Sequence, residues 1–282
     1  MDIISDPLLF QQQASTWRRL GETTALVPTM GAFHEGHLSL MRYAKTQARK
    51  VMVSLFVNPS QFGPSEDLSA YPRDLDRDVH LAQEAGVDLL FNPRPEAMYA
   101  LDHATWVEVP SLARDLCGRT RPVHFRGVAT VVVKLLNLAQ PTLAVFGEKD
   151  WQQLAIIKRL ARDLFIPTHI VGRPIVRDED GLALSSRNAY LTPEERAMAP
   201  ALSQGLRQAK AWVREGLTRS KDLLDRLALF YASDLALARV DYLRLVDPEN
   251  LTPVEEIRQP ALLAAAVYLG RARLIDNILI PV

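Results

Sequence analysis

Two histidines three positions apart, His34 and His37, stand in the string Pro28-Thr29-Met30-Gly31-Ala32-Phe33-His34-Glu35-Gly36-His37. A strand-like run precedes the string and a helix-like run follows it, so both imidazoles face one way at a helix entrance. Free backbone N–H groups and the helix dipole favour an anion there. Gly31 and Gly36 let backbone approach such an anion closely. The physical reading is a triphosphate cradle in which His34 and His37 donate hydrogen bonds to phosphate oxygens as charge builds on them. Two alternatives stay open at this point, a structural histidine and a zinc pair. With one cysteine and six histidines in the chain, no thiolates stand near to complete a zinc site.

Three further strings carry polar groups of the same kind. Phe56-Val57-Asn58-Pro59-Ser60-Gln61-Phe62-Gly63 begins at a strand's carboxyl end and runs into a loop with Glu66-Asp67 and Tyr71-Pro72-Arg73. The Gln61 amide both donates and accepts, which suits a substrate rich in hydroxyls; otherwise Asn-Pro is merely a turn. Val145-Phe146-Gly147-Glu148-Lys149-Asp150-Trp151-Gln152-Gln153 again joins strand to helix. Asp150 is a plausible N-cap, and Lys149 points an ammonium at whatever sits at the strand ends, unless the run is plain solvated charge. Leu184-Ser185-Ser186-Arg187-Asn188 places two hydroxyls beside a guanidinium, a compact phosphate-binding set, although such a composition also suits an ordinary loop.

These groups need elements that bring them together. The pattern predicts strands over 24–27, 51–57, 87–91, 143–146 and 169–171, and helices over 38–50, 75–84, 128–138 and 151–164. Strand–helix alternation points to a parallel sheet covered on both faces, whose ligands sit at the strands' carboxyl ends. After about Arg173 the texture changes. Helices are expected over 193–213 and 220–235, with strands over 240–246, 262–269 and 273–280. The chain therefore divides into an α/β domain over 1–173 and a smaller α+β domain over 174–282.

Bulk composition narrows the class. Lys+Arg and Asp+Glu balance at 33 each, so no net field holds a polyanion, and no nucleic-acid partner is expected. The longest apolar run, 261–269, is far short of the roughly 20 residues that cross a bilayer. The start, MDIISDPLLF, has no leader-like pattern. The sole cysteine, Cys117, excludes an intrachain disulfide and suits a reducing cytoplasm.

His-x-Gly-His resembles the signature of the nucleotidylyltransferase superfamily, which includes class I aminoacyl-tRNA synthetases, and the longer strings resemble the pantoate–β-alanine ligases. The resemblance covers nearly the full length, including Arg271-Ala272-Arg273-Leu274-Ile275-Asp276-Asn277. It implies a Rossmann-like doubly wound parallel sheet with a C-terminal α+β lid, acting in the cytoplasm as a homodimer through the first domain. It also implies ATP as substrate, with Mg²⁺. Nucleotide contacts would fall on Met30, Gly31, Ala32, Phe33, His34, Glu35, Gly36, His37, Gly147, Glu148, Lys149, Asp150, Val176, Leu184, Ser185, Ser186 and Arg187. Pantoate contacts would fall on Pro28, Thr29, Asn58, Gln61, Arg126 and Gln153, with β-alanine beside Gln61. His34, His37, Lys149, Ser185, Ser186 and Arg187 would stabilise charge during transfer. No residue is expected to form an acyl-enzyme or to hold a metal alone. One departure stands in Arg121-Pro122-Val123-His124-Phe125-Arg126-Gly127: the family usually has glycine at Val123, and a β-branched residue resists positive φ, so a changed loop path is expected. Two other readings are open, a different enzyme of the superfamily and a non-catalytic nucleotide-binding scaffold.

Overall fold

A computed structural model describes residues 1–64 and 66–281. Six strands, β1 (Asp2–Ile4), β2 (Thr24–Thr29), β3 (Lys50–Leu55), β4 (Leu89–Phe91), β5 (Leu143–Gly147) and β6 (His169–Arg173), form one sheet in the order β1-β4-β3-β2-β5-β6. Every pairing in it is parallel. Buried on both faces, such strands read as continuous apolar runs. Leu26 and Met52 enter a core on one side, while Ala25, Val27, Val51 and Val53 enter another.

Helices α1 (Pro7–Arg19), α2 (Glu35–Gln47) and α3 (Leu75–Glu84) precede three single turns, α4 (Pro95–Met98), α5 (Pro110–Ala113) and α6 (Cys117–Thr120); α7 (His124–Ala139) and α8 (Trp151–Asp163) follow. The first core takes Phe10, Ala14 and Trp17 of α1 together with α7 and α8. Leu40, Met41 and Ala44 of α2 fill the second. The order of strands reverses between β2 and β5, and this is where a doubly wound sheet opens its ligand crevice.

Beyond β6 lie α9 (Pro193–Met198), α10 (Ala201–Arg214) and α11 (Ser220–Asp234), then the antiparallel sheet β7 (Ala238–Val246), β8 (Ala261–Leu269) and β9 (Ala272–Ile280). One face of β8, with Leu263, Ala265 and Val267, packs on Leu206, Trp212 and Leu227 of α10 and α11. Its other face, with Leu262, Ala264 and Ala266, joins the core of the parallel sheet. The second unit is thus seated on the first through shared apolar packing.

Several expected boundaries move. The helix over 193–213 is two helices, because Pro200 lacks the N–H that would continue α9 and instead precedes α10. The helix expected to reach Lys50 ends at Gln47, and Lys50 opens β3. The strand expected to reach Val57 ends at Leu55. β1 and α1 were not anticipated, although Asp6 caps α1 by accepting from Leu8 and Leu9 N–H and Pro7 sits in its first turn. Val123 has φ −92° and ψ −13°, so the residue before α7 needs no glycine-like freedom and its side chain forces no detour.

Candidate active site

The loops after β2, β3, β5 and β6 surround a cleft formed of two adjoining cavities of about 230 and 430 Å³. Arg121, His124, Lys149, Asp150, Gln153, Ser185 and Arg187 line both. Pro28, Thr29, Met30, His34, Gly36, His37, Gln61, Val176, Leu184 and Ser186 line the smaller, inner one. Strings far apart in sequence, from both units, meet around one space.

The two imidazoles stand 4.2 Å apart between centroids, tilted by 36°. His34 is the N-cap of α2, and its Nδ1 accepts from Gly36 N–H at 3.1 Å. A neutral His34 therefore carries its proton on Nε2, the nitrogen left to donate. A side chain at Gly36 would place Cβ 2.8 Å from the His34 ring, which accounts for the glycine. Burial, then the charge of Lys149, lowers the His34 pKa to about 4. Burial, then His34 and Lys149, lowers that of His37 to about 3. Both rings are neutral N–H donors at pH 7, not cations. The Nδ1 atom of His37 is buried without a partner in the protein.

The turn before them departs from expectation. Gly31 and Ala32 take positive φ, 83° and 52°, and the N–H groups of Ala32 and Phe33 donate to the two carboxylate oxygens of Asp78 on α3, each at 2.7 Å. These donors are therefore engaged within the protein and not free to cradle phosphate. Gly31, Ala32 and Phe33 are not among the residues that line the two cavities, and Glu35 pairs with Arg42 on the exposed side of α2.

Gln61 is 6% exposed and donates to Met30 Sδ at 3.0 Å. Asn58 Nδ2 donates to Gln61 Oε1 and to the Gly127 carbonyl, both at 3.1 Å. Asn58 thus supports Gln61 from beneath; it does not face the cleft itself. His124 was not anticipated. Its Nδ1 lies 2.9 Å from the Gln61 carbonyl, which can only accept, so Nδ1 carries the proton and Nε2 accepts from Arg121 Nη1 at 3.1 Å. Burial, then Arg121, lowers the His124 pKa to about 3, consistent with that neutral tautomer. Arg126 points elsewhere: it sits 4.8 Å over the Trp106 ring, with Glu108 at 3.7 Å. The guanidinium that this string brings to the cleft is that of Arg121, bound to Glu66 at 3.0 and 2.5 Å. Arg121 is the C-cap of α6 whereas Arg126 lies in the first turn of α7, and residue type alone does not reveal which of the two reaches the cleft.

Lys149 and Asp150 sit in a short turn between β5 and α8. Asn277 of β9 donates to the carbonyls of Glu148 and Lys149 at 2.9 and 3.0 Å, so the second unit fixes this segment. Glu148 contributes backbone there and lies outside the cleft lining. Asp150 occupies the N-cap position of α8, yet its side chain makes no cap bond, and its carboxylate lines the cleft. The two neighbouring glutamines diverge. Gln152 is buried and bonds the Leu112 and Asp115 carbonyls and Cys117 N–H, whereas Gln153 lines the cleft. Ser185 caps the turn of Ser186–Tyr190, Leu184 N–H donates to the Val176 carbonyl at 3.0 Å, and Arg187 pairs with Asp67 at 3.0 Å.

Among the described residues no group of three His, Cys, Asp or Glu side chains could hold a metal unaided, and no helix is long and apolar enough to cross a membrane. Cys117 is buried, with Tyr242 Oη and Arg273 Nη1 each 3.4 Å from its sulfur.

Comparison with known proteins gives this cleft a context. The chain is 56% identical over 280 residues to the pantothenate synthetase of Nitratidesulfovibrio vulgaris, covering 99% of each chain. Its fold superimposes with a TM-score of 0.93 on the pantothenate synthetase of Thermus thermophilus, at 45% identity and 99% coverage of both. The pantoate-beta-alanine ligase of Francisella tularensis, solved with beta-gamma ATP and beta-alanine, gives a TM-score of 0.81 at 34% identity, over 99% of this chain and 97% of that one. A family profile described as pantoate-beta-alanine ligase matches residues 2–279, and the chain belongs to that family.

Proposed function

We propose that this chain condenses (R)-pantoate with β-alanine, consuming ATP and releasing AMP and diphosphate, and so makes pantothenate for coenzyme A synthesis. The observation that carries the reading is the single cleft in which His34, His37, Gln61, Lys149, Gln153, Ser185, Ser186 and Arg187 converge.

In the first step a pantoate carboxylate oxygen attacks the α-phosphorus of ATP and the bond to the bridging oxygen breaks, giving pantoyl adenylate and diphosphate. The carboxylate is already ionised at neutral pH, so no general base is needed. The protein aligns the reactants and stabilises charge on the departing diphosphate. Lys149 and Arg187 supply cationic donors, Ser185 and Ser186 hydroxyls, and His34 and His37 neutral N–H donors. Gln61 and Gln153 hold the hydroxy acid, with Pro28, Thr29 and Met30 beside it, and Val128, Val131 and Leu135 offer an apolar wall to its methyl groups. In the second step the unprotonated amine of β-alanine attacks the acyl carbon, the bond to AMP breaks, and the amine nitrogen loses its proton.

Mg²⁺ commonly binds through one or two carboxylates plus substrate phosphates. Asp150, which lines both cavities and makes no cap bond, fits that role; the ion would offset phosphate charge when bound. A working homodimer is proposed through the first unit, where the exposed Leu101 and Trp106 give a second copy apolar surface to cover. The cytoplasm, where ATP is supplied, is the proposed location.

Pantoate-dependent exchange of labelled diphosphate into ATP, followed by AMP release that requires β-alanine, tests the reading. Exchange without pantoate, or AMP release with no amine requirement, would overturn it.

A further inference from the structure

Ala32 holds φ 52° directly after Gly31 at φ 83°, a backbone that a residue with a Cβ adopts only when its surroundings impose it. Those surroundings come from α3. Asp78 is 1% exposed, and its two oxygens each accept one N–H of this turn at 2.7 Å, Oδ2 from Ala32 and Oδ1 from Phe33. Charge-assisted bonds of this length are the strong ones. Arg77, one residue earlier, donates to the Phe33 carbonyl at 3.0 Å, so adjacent α3 side chains grip both polar groups of one peptide corner. A Cβ on Gly31 would lie 2.9 Å from Asp78 Oδ2 and 3.2 Å from Leu55 Cδ2, so the glycine is needed for the carboxylate to come this close. On either side of the corner stand Met30 and His34, which both line the inner cavity.

We propose that Asp78 is a positioning residue for adenylate formation, acting through the turn at 31–33 to hold Met30 and His34 in the cleft. The proposal rests on the ligase reading of that cleft. A carboxylate here fills the place an anion would take at paired backbone N–H groups, and it leaves the nucleotide phosphates to Lys149, Ser185 and Arg187.

The test compares Asp78→Asn with the double variant Asp78→Asn/Ala32→Gly in pantoate-dependent diphosphate exchange, with the thermal midpoint of each. Asparagine keeps the shape but turns an NH₂ toward an N–H. The single variant should lose about ten- to a hundredfold in kcat, the scale of a misplaced reacting group, and its KM for pantoate should rise as Met30 shifts. Glycine adopts positive φ unaided, so the double variant should regain at least several-fold. If Asp78→Asn does not fold, Asp78→Glu, with its carboxylate displaced by one methylene, takes its place in the same pair. An unchanged kcat in the single variant, or no gain on adding Ala32→Gly, overturns the proposal. Hydrogen exchange of the Ala32 and Phe33 amides separates this from failure of the ligase reading. Protection in the native protein that is lost in the Asp78 variant supports the hold whatever the substrate, and protection unchanged in the variant overturns it.

Discussion

Arg187 of the second unit and Asp67 of the loop after β3 form an ion pair at 3.0 Å, and Tyr190 Oη adds a contact to the same carboxylate at 3.4 Å. Next to it in the chain, Glu66 binds Arg121. Two neighbouring carboxylates thus occupy two guanidinium groups of the cleft wall. Burial pushes the Asp67 pKa up, but the Arg187 hydrogen bond and charge outweigh it and hold the carboxyl below its usual range. The pair is therefore fully ionised at neutral pH and is lost as pH falls through that depressed pKa.

On the proposed function, phosphate has to draw Arg187 away from Asp67. Asp67→Asn should lower the KM for ATP by about two- to fivefold, the scale of a partly exposed ion pair. Arg187→Ala should raise it by about ten- to a hundredfold, as expected for losing charge-assisted bonds. Steady-state KM values check both, and two changes of the same sign would contradict the competition.

His37→Ala removes an N–H donor from the cleft. Turnover should fall by about ten- to a thousandfold, the range for losing a hydrogen bond made as charge develops, with a smaller change in the KM for ATP. Near-normal turnover would remove His37 from the chemistry.

The three lowered imidazole pKa values make a stability prediction. His34, His37 and His124 titrate at about 4, 3 and 3, against 6.5 when unfolded. As pH falls below 6.5 the unfolded chain takes up protons that the folded chain does not, so stability is full above 6.5 and declines from there toward 4. The thermal midpoint of the unliganded protein should drop between about pH 7 and about pH 5. Diphosphate exchange, meanwhile, should show no break near 6.5 from these rings. A midpoint unchanged across that window would contradict the burial of the imidazoles.

Gly127 lies against the turn that carries Gln61. A Cβ there would meet the Ser60 carbonyl oxygen at 2.4 Å and Gln61 Cα at 2.6 Å, both backbone atoms. Gly127→Ala should destabilise the protein by about 1–3 kcal/mol, the usual cost of overpacking, and raise the KM for pantoate by displacing Gln61. Wild-type values of both quantities would show that Gln61 does not depend on this contact.

What the sequence revealed and what it hid follow from locality. The helix over 75–84 is seen residue for residue, because Asp74 caps it and Gly86 closes it with φ 79°. Loops that begin at strand ends were legible as site-bearing, since strand, turn and helix succeed one another within each string. Asp78 was not legible: its partners, Phe33 and Ala32, lie 45 and 46 residues away, and in sequence it is one more acid in the first turns of a helix. His124 was missed for the same reason, its Gln61 partner lying 63 residues off. The seat of Arg126 over Trp106 was hidden too, because a string names residues without fixing which way each side chain points. That the N–H groups of Ala32 and Phe33 are taken by Asp78 was not legible either, because two glycine-flanked N–H groups at a helix entrance look alike whether phosphate or an internal carboxylate receives them.

On the proposed function, carboxylate activation and amine capture share one cleft, with an adenylate passing between them. Rapid mixing of the protein with ATP, Mg²⁺ and pantoate, without β-alanine, followed by acid quench and mass spectrometry, tests it most directly. Pantoyl adenylate and diphosphate should appear at up to one equivalent per site, and the adenylate should convert to AMP and pantothenate once β-alanine is added. Appearance of ADP and phosphate instead, or no cleavage of ATP until the amine is present, would contradict it.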